Sequence, residues 1–298
     1  MNTILYGDCR DTLQQFADSG TKARMCITSP PYYGLRDYGG EDQQIGLEQT
    51  PEEFIAELVK VFRGVRDVLT DDGTLWVNIG DSYYNYRAGK SQALVKQSMA
   101  SHHQDLPQTC PRRANKLEGL KEKDLIGIPW MLAFALRADG WYLRQDIIWS
   151  KPNPTPESMK DRCTKSHEYM FLLSKSQNYY FDVDSIKVPT VDGKSLKRKK
   201  SVWEVATKPY KGAHCAVFPH ELIIPAIKAG TEEGDLVLDP FMGSGTTAEV
   251  ALKLGRGYLG CELHEEYGEL IQKRLSSVQA QPEVEVTTDN PLMALFTN

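Results

Sequence analysis

Residues 27–33, ITSPPYY, place a hydroxyl, two prolines and two tyrosines directly after an apolar run. Pro30 and Pro31 lack an N–H group and have fixed φ angles, so a strand that runs into them stops pairing there. The segment therefore predicts a rigid strand end that presents Ser29 and Tyr32 to a ligand. Taken alone, the four residues SPPY, Ser29–Tyr32, would more often form a turn with one packed tyrosine.

A second stretch, residues 235–263, reads DLVLDPFMGSGTTAEVALKLGRGYLGCEL and predicts a strand, a glycine loop, a helix and another strand. Gly243 and Gly245 let the backbone come close to a ligand at the carboxyl end of a strand, where doubly wound sheets bind cofactors. Glu262 follows Gly245 by 17 residues. Its carboxylate can accept hydrogen bonds from both hydroxyls of a ribose, so we expect a nucleoside-containing ligand.

Two better-known phosphate-binding loops fit this stretch poorly. It lacks the lysine of GxxxxGK[ST] and the third glycine of GxGxxG, which weighs against nucleoside triphosphatases and dinucleotide enzymes. Asp239 beside the loop favours a cationic ligand over a pyrophosphate.

Composition places the chain among ordinary globular proteins. It has 298 residues, of which 41% are hydrophobic and 25% charged, and no apolar run approaches the length of a membrane span. The first residues, MNTILYGDCRD, are too acidic for a signal peptide, so we expect a cytoplasmic protein. The six cysteines form no CxxC pair, and the adjacent His102 and His103 have no further ligand nearby. We therefore expect neither disulfides nor a metal site.

The net charge of −5 is unevenly distributed. Residues 144–211 contain 14 Lys and Arg against 8 Asp and Glu, whereas the rest of the chain contains 21 against 32. The densest basic run is KSLKRKK, in which Lys197, Arg198, Lys199 and Lys200 are candidates for contacts with DNA phosphates. Such a run alone is more often a solvated loop.

Apolar segments of strand length alternate with helical patterns along the chain. Seven strands are predicted at Thr3–Tyr6, Arg24–Thr28, Leu75–Ile79, Leu143–Trp149, Glu168–Leu173, Leu236–Leu238 and Tyr258–Cys261. Helices are predicted at CRDTLQQFAD, PEEFIAELVKVFRGVRDVL, DLIGIPWMLAFALRADG, FPHELIIPAIKAG and TTAEVALKLG. This alternation predicts an α/β fold with a largely parallel sheet and helices on both faces.

Taken together, TSPPY and DPFMGSGTT resemble the two signature motifs of the DNA amino-methyltransferases, which methylate exocyclic nitrogens of bases with S-adenosylmethionine. Their order, with the catalytic motif nearer the amino terminus, is typical of the group called beta. The resemblance extends to ILYGDC, IIWSKPNPTPES, SHEYMFLLSKS and HCAVFPHELI, and so covers almost the whole chain.

The resemblance implies a Rossmann-like methyltransferase sheet of seven strands with helices on both faces. Residues 1–280 would form one catalytic domain, with small target-recognition insertions at about residues 83–123 and 183–212. Residues 281–298 would be a loosely structured tail.

The resemblance also implies which residues hold the cofactor. The methionine part would pack against the loop of Phe241, Gly243, Ser244, Gly245 and Thr246, with Asp239 near its amino group and Glu262 on the ribose. Asp8 would accept a hydrogen bond from the adenine amino group, and Phe218 would help to close the methionine end. Asp8 is equally well placed to cap the helix that follows it.

An exocyclic amino nitrogen is a poor nucleophile because its lone pair is delocalised into the base. Ser29 Oγ and the carbonyl oxygen of Pro30 can accept its two N–H bonds, while Pro31 helps to fix the direction of that carbonyl. Tyr32 would stack on a base turned out of the duplex, a role that Tyr33 could share.

The target base and the partners follow from the same resemblance. A serine at the first motif position is commoner in cytosine-N4 enzymes and an aspartate in adenine-N6 enzymes, so Ser29 favours cytosine N4, with adenine N6 as the alternative. Arg112 and Arg113 are expected to contact DNA together with the basic run. The expected partners are double-stranded DNA, a second copy of the chain and a restriction endonuclease of the same system, but no membrane.

Functions from three other classes remain open. A protein glutamine methyltransferase is similar but usually has asparagine before PPY. A non-catalytic DNA-binding protein would have no use for the cofactor loop, and a nicotinamide oxidoreductase would share only the fold.

Overall fold

The computed structural model describes residues 2–34, 43–84, 117–208 and 218–279. Its strands are β1 (Thr3–Tyr6), β2 (Ala23–Thr28), β3 (Leu69–Ile79), β4 (Tyr142–Ser150), β5 (His167–Ser174), β6 (Val188–Pro189), β7 (Leu196–Lys197), β8 (Val202–Glu204), β9 (Leu236–Asp239) and β10 (Gly257–Glu262). Its helices are α1 (Cys9–Asp18), α2 (Pro51–Val68), α3 (Ile128–Ala138), α4 (His220–Gly230), α5 (Thr246–Lys253) and α6 (Tyr267–Gln279). Arg112, Arg113 and the tail at residues 281–298 lie outside the described residues.

The main sheet contains eight strands in the order β1, β10, β9, β2, β3, β5, β4, β8. β5 runs antiparallel to its neighbours β3 and β4, and the other neighbouring pairs are parallel. All seven predicted strands are present, which confirms the α/β fold. The count of seven was wrong, because β8 pairs with β4 at the edge of the sheet.

The strand β8 also changes the interpretation of residues 183–212. This stretch was predicted to be a small target-recognition insertion, yet Trp203 in β8 is buried and contributes to the core. Its indole Nε1 donates to the carbonyl oxygen of Lys200, which fixes the end of the basic run. Part of this segment is therefore integral to the fold, while β6 and β7 form a separate two-stranded hairpin.

Helices cover both faces of the sheet. Along β3, Leu75 and Val77 pack into one hydrophobic cluster with α1, α2 and α3, whereas Trp76 between them packs into a second cluster with α4, α5 and α6. This alternation follows from the two-residue period of a strand that is buried on both faces.

The helix α2 illustrates how local sequence sets an element boundary. Thr50 accepts a hydrogen bond from the backbone of Glu53, and the Glu53 side chain accepts one from the backbone of Thr50, so both ends of a capping box are formed. Pro51 occupies the first turn, where its missing N–H costs nothing. The five predicted helices are confirmed, but α6 was not predicted, although Ile271 and Leu275 are buried one turn apart on its inner face.

The chain leaves β2 and β9 toward opposite faces of the sheet. The helix after β9 is α5, in the second cluster, whereas the first helix after β2 is α2, in the first cluster. The two strands are parallel neighbours. Their carboxyl ends therefore form a topological switch point, the place where open α/β sheets bind ligands.

None of the helices in the described part of the chain has the length and apolar character needed to cross a bilayer.

Candidate active site

The SPPY segment, Ser29–Tyr32, directly follows β2 and so lies at the switch point. Pro30 is buried, while Ser29 and Tyr32 are partly exposed. The hydroxyl of Tyr32 donates to Glu168 Oε2 over 2.6 Å. Its ring lies so close to Gly80 that a Cβ atom built there would stand 2.6 Å from Tyr32 Cε2. The first tyrosine is therefore fixed at both its ring and its hydroxyl.

The suggestion that Tyr33 could share the stacking role was wrong. Its side chain is only 2% exposed, and its ring stacks on Phe54 of α2 with the centroids 5.3 Å apart. The Tyr33 hydroxyl also donates to the carbonyl oxygen of Gln49. Tyr33 thus belongs to the core and anchors the loop after β2, while Tyr32 alone of the pair faces the edge of the sheet.

The loop after β9 is joined to the end of β2 by one buried carboxylate. Asp239 Oδ1 accepts a 2.6 Å hydrogen bond from Thr28 Oγ1 and a 3.0 Å bond from the backbone of Phe241. Asp239 Oδ2 accepts a 2.6 Å bond from Thr247 Oγ1, in the first turn of α5. Burial raises the pKa of Asp239, and these hydrogen bonds lower it in part. Its predicted place near the cofactor amino group stays a prediction.

The glycine loop is held from the other side by Glu262 at the end of β10. Glu262 Oε2 accepts from the backbone of Gly243 over 2.7 Å, and Oε1 accepts from the backbone of His264 over 3.0 Å. Burial raises the pKa of Glu262, and the same two hydrogen bonds lower it in part. A carboxylate offers about four acceptor positions, so Glu262 retains acceptor capacity for a hydroxyl group of a ligand.

Within the loop, Gly245 is required for reasons that the sequence did not reveal. It has a φ angle of +84°, and an added Cβ would stand 3.1 Å from Ile271 of α6. Packing by α6 therefore explains this glycine without reference to a ligand. Ser244 differs, since its buried Oγ has no hydrogen-bond partner among the described residues. Thr246 Oγ1 accepts a 2.6 Å bond from Arg274.

Asp8 caps α1, as one of its two interpretations required. Its carboxylate accepts from the backbone of Arg10 and is paired with the Arg10 guanidinium, which also bonds Glu57. Burial would raise the pKa of Asp8, but the Arg10 hydrogen bonds outweigh it and hold the pKa below its ordinary value. Because Arg10 uses both oxygens, little acceptor capacity remains for an adenine amino group.

The two aromatic residues expected at the cofactor pack against different hydrophobic clusters. Phe218 precedes α4 and is 9% exposed in the second cluster, whereas Phe241, in the loop after β9, packs partly buried against the first cluster.

The basic run is divided by the structure. Arg198 and Lys200 are exposed, whereas Lys197 and Lys199 are partly buried. The Lys199 ammonium lies 5.1 Å from the centroid of the Trp203 ring, and burial lowers the pKa of Lys199. Two of the four cations are thus presented to solvent, where phosphates could reach them. In the described residues, no group of three or more potential ligands is arranged to hold a metal ion.

Sequence reasoning did not identify Glu168 and Asn78, which form a polar cluster with Lys151 beside Tyr32. Asn78 of β3 donates to Glu168 Oε2 over 3.3 Å, and Lys151 after β4 pairs with Glu168 Oε1. A glutamate near the start of the otherwise apolar segment HEYMFLL was the available signal. Asn153, in the same segment as Lys151, instead exchanges two hydrogen bonds with the backbone of Thr207 and so fixes the chain after β8.

A family model described as DNA methylase matches residues 23–273. The chain is also 49% identical to the Type II methyltransferase M.Cfr9I of Citrobacter freundii, over 92% of this chain and 87% of that protein. The chain therefore belongs to this family of DNA amino-methyltransferases, whose methyl donor is S-adenosylmethionine.

Two solved structures share the fold. The PvuII DNA methyltransferase (cytosine-N4-specific) matches with a TM-score of 0.64 and 19% identity, covering 94% of this chain and 90% of that chain. The complex of M1.HpyAVI with S-adenosylmethionine matches with a TM-score of 0.59 and 18% identity, covering 92% and 100%.

The residues at the switch point fit S-adenosylmethionine. Among the described residues, the buried hydroxyl of Ser244 in the loop has no hydrogen-bond partner, and Glu262 retains acceptor capacity at the neighbouring strand end. These are groups that a ligand with ribose hydroxyls and an amino acid portion can satisfy.

Thr28→Val should destabilise the protein by about 1–3 kcal/mol, because the substitution removes a donor from the buried Asp239 carboxylate at constant side-chain shape. Urea unfolding measures the effect, and Thr28→Ser, which keeps the hydroxyl, should restore most of the lost free energy. Equal losses in the two variants would contradict the importance of this hydrogen bond.

Proposed function

We propose that this protein transfers a methyl group to the N4 atom of a cytosine in double-stranded DNA. The observation that carries the proposal is the direct bond between Thr28 and Asp239, which joins the SPPY strand end to the cofactor loop. When bound, S-adenosylmethionine supplies an electrophilic methyl group. The bond between Thr28 and Asp239 holds the residues that bind the cofactor and those that engage the base at one end of the strands.

The cofactor is held, in this proposal, by the loop after β9 and the end of β10. Glu262 binds the ribose hydroxyls, Ser244 supplies a polar contact, and Phe241 and Phe218 pack against the methionine portion. Asp8 contributes chiefly through Arg10 and the capped start of α1, since its oxygens are already engaged.

The base is held by the rigid end of β2. Ser29 Oγ and the Pro30 carbonyl accept the two amino hydrogens, which draws the nitrogen toward sp³ geometry and frees its lone pair for attack. Pro31 keeps that carbonyl in place, and Tyr32 stacks on the extruded base. No covalent enzyme intermediate is needed.

Cytosine is favoured over adenine for two reasons. The first motif residue is Ser29, and the structural neighbour PvuII DNA methyltransferase is described as cytosine-N4-specific. Adenine N6 is the alternative, because it offers the same NH₂ group to the same two acceptors.

The proposed partner is double-stranded DNA, bound through exposed basic side chains. Arg198 and Lys200 are exposed and are proposed to contact phosphates, as are Arg112 and Arg113 outside the described residues. Because M.Cfr9I is a Type II methyltransferase, a restriction endonuclease of the same specificity is proposed as the companion protein. A homodimer stays a prediction.

Family membership decides against the glutamine methyltransferase, the non-catalytic binder and the oxidoreductase.

Product analysis tests the function directly. Purified protein is incubated with unmethylated DNA and S-adenosylmethionine, and the digested nucleosides are identified by mass spectrometry. N4-methylcytosine is the expected product. N6-methyladenine would replace the proposed base by the alternative, and the absence of any methylated nucleoside despite cofactor binding would overturn the proposal.

Ser29→Ala should lower turnover by roughly 10²-fold, the scale of losing one group positioned for a transition state, without weakening cofactor binding. Single-turnover methylation and calorimetric titration with the cofactor separate the two quantities. Ser277→Ala on the exposed side of α6 is the matched control and should behave as the wild type. Unchanged turnover in Ser29→Ala would remove this residue from the proposed mechanism.

Cofactor affinity should fall as the pH is lowered through the raised pKa of Glu262, because the ionised carboxylate is the better acceptor for ribose hydroxyls. Since the pKa is raised, the loss should begin above the ordinary glutamate range of about pH 4 to 5. Equilibrium dialysis measures it.

Glu262→Gln should bind the cofactor weakly with little pH dependence. Glu265→Gln, an exposed change on the same turn, should retain the wild-type profile. A Glu262→Gln profile identical to that of the wild type would contradict the ribose contact.

A further inference from the structure

Glu168 lies where the ends of four strands meet, on the side of the sheet where the target base is proposed to bind. It is the second residue of β5, and its carboxylate accepts from Tyr32 after β2, from Asn78 in β3 and from Lys151 after β4. Its side chain is only 15% exposed. Hydrogen bonds to a charged acceptor in such an environment are stronger than those between neutral groups.

The charge of Glu168 is compensated locally. The Lys151 ammonium is 17% exposed, pairs with Glu168 Oε1 and lies 4.2 Å from the centroid of the Trp149 ring. Lys165 is a second cation nearby, and its ammonium donates to the carbonyl oxygen of Asp81. A buried ion pair with additional hydrogen bonds holds a defined geometry, and removing one member leaves an uncompensated charge.

Glu168 is coupled directly to the aromatic ring proposed to stack on the base. Burial, and then the negative charge of Glu168, raise the pKa of Tyr32 well above its ordinary value, so its hydroxyl stays protonated and donates. The backbone of Gly80 restricts the ring from a second direction. The hydroxyl bond therefore selects one orientation of a ring that Pro31 alone would leave free to rotate about its side-chain torsions.

We propose that Glu168 is a positioning residue for base capture, which acts through the hydroxyl of Tyr32 and is itself held by Lys151. The inference rests on the proposed function and deepens it. Glu168 contacts neither reacting atom in this scheme, and it sets the orientation of the surface on which the extruded base lands. Since stacking is common to both bases, the role is the same for cytosine and adenine.

A double-mutant cycle of Tyr32→Phe and Glu168→Gln tests the proposal. Tyr32→Phe keeps the ring and removes its hydroxyl, while Glu168→Gln keeps the side-chain shape and removes the charge. Each change should raise KM for DNA more than it lowers kcat, with a total loss in kcat/KM on the order of 10- to 100-fold from a misplaced ring. In the Tyr32→Phe background, Glu168→Gln should lower kcat/KM by less than a further factor of about two, because the Tyr32 hydroxyl through which Glu168 acts is already absent.

A mismatched target provides a readout that a purely structural role would not move. Once the methylated position has been mapped on plasmid DNA, a duplex with a mismatch opposite the target base lowers the cost of extrusion. The loss of kcat/KM in Glu168→Gln relative to the wild type should be smaller on that duplex. The cofactor dissociation constant of Glu168→Gln should stay close to wild type, as should all properties of Glu269→Gln, a control on the exposed face of α6.

The outcomes separate this inference from the proposed function. A wild-type protein that binds S-adenosylmethionine but methylates no DNA defeats the proposed function and the inference with it. An active wild type overturns the inference alone if Glu168→Gln retains full kcat/KM, or if its loss is equally large with and without the Tyr32 hydroxyl.

Discussion

The hydrogen bonds of one buried carboxylate define the geometry of the site. Asp239 is 2% exposed and accepts from Thr28, Thr247 and the backbone of Phe241. A buried carboxylate without partners would be costly, so the three donors must be present together. Because Thr28 precedes Ser29 and Thr247 lies in α5, this requirement fixes the segment Ser29–Tyr32 relative to the glycine loop after β9. Residues 211 positions apart are thereby held in one arrangement.

The same edge contains a second carboxylate of comparable function. Glu168 joins the ends of β2, β3, β4 and β5, as Asp239 joins β2 and β9. One carboxylate sets where the SPPY segment begins, and the other sets where its tyrosine points. The two prolines between these anchors supply the stiffness that lets both constraints act on the same few atoms.

Much of this arrangement could be predicted from the sequence, because its signals are local. The seven apolar segments, the capping residues of α2 and the glycine loop each depend on neighbours within one element. The features that were missed depend on distant partners. β8 is three residues long and gains its stability from pairing with β4, and α6 is explained by the packing of Ile271 on the second cluster.

The two tyrosines show the same limit at the site itself. The sequence left Tyr33 as a second candidate beside Tyr32, but the Tyr33 ring stacks on Phe54 in the core. The hydroxyl of Tyr32 instead donates to Glu168, 136 residues away. Gly245 likewise has its reason in Ile271, which approaches from a helix that follows the next strand. Spacing within a motif identifies the candidates, and tertiary contacts decide among them.

The most direct test of the account is a crystal structure of the protein with a non-reactive S-adenosylmethionine analogue and a duplex containing the mapped target. We expect one base outside the helix, with its amino nitrogen within about 3 Å of both Ser29 Oγ and the Pro30 carbonyl oxygen and its ring stacked on Tyr32. An extruded base whose amino group is held by other residues would contradict it, as would a target left stacked in the duplex.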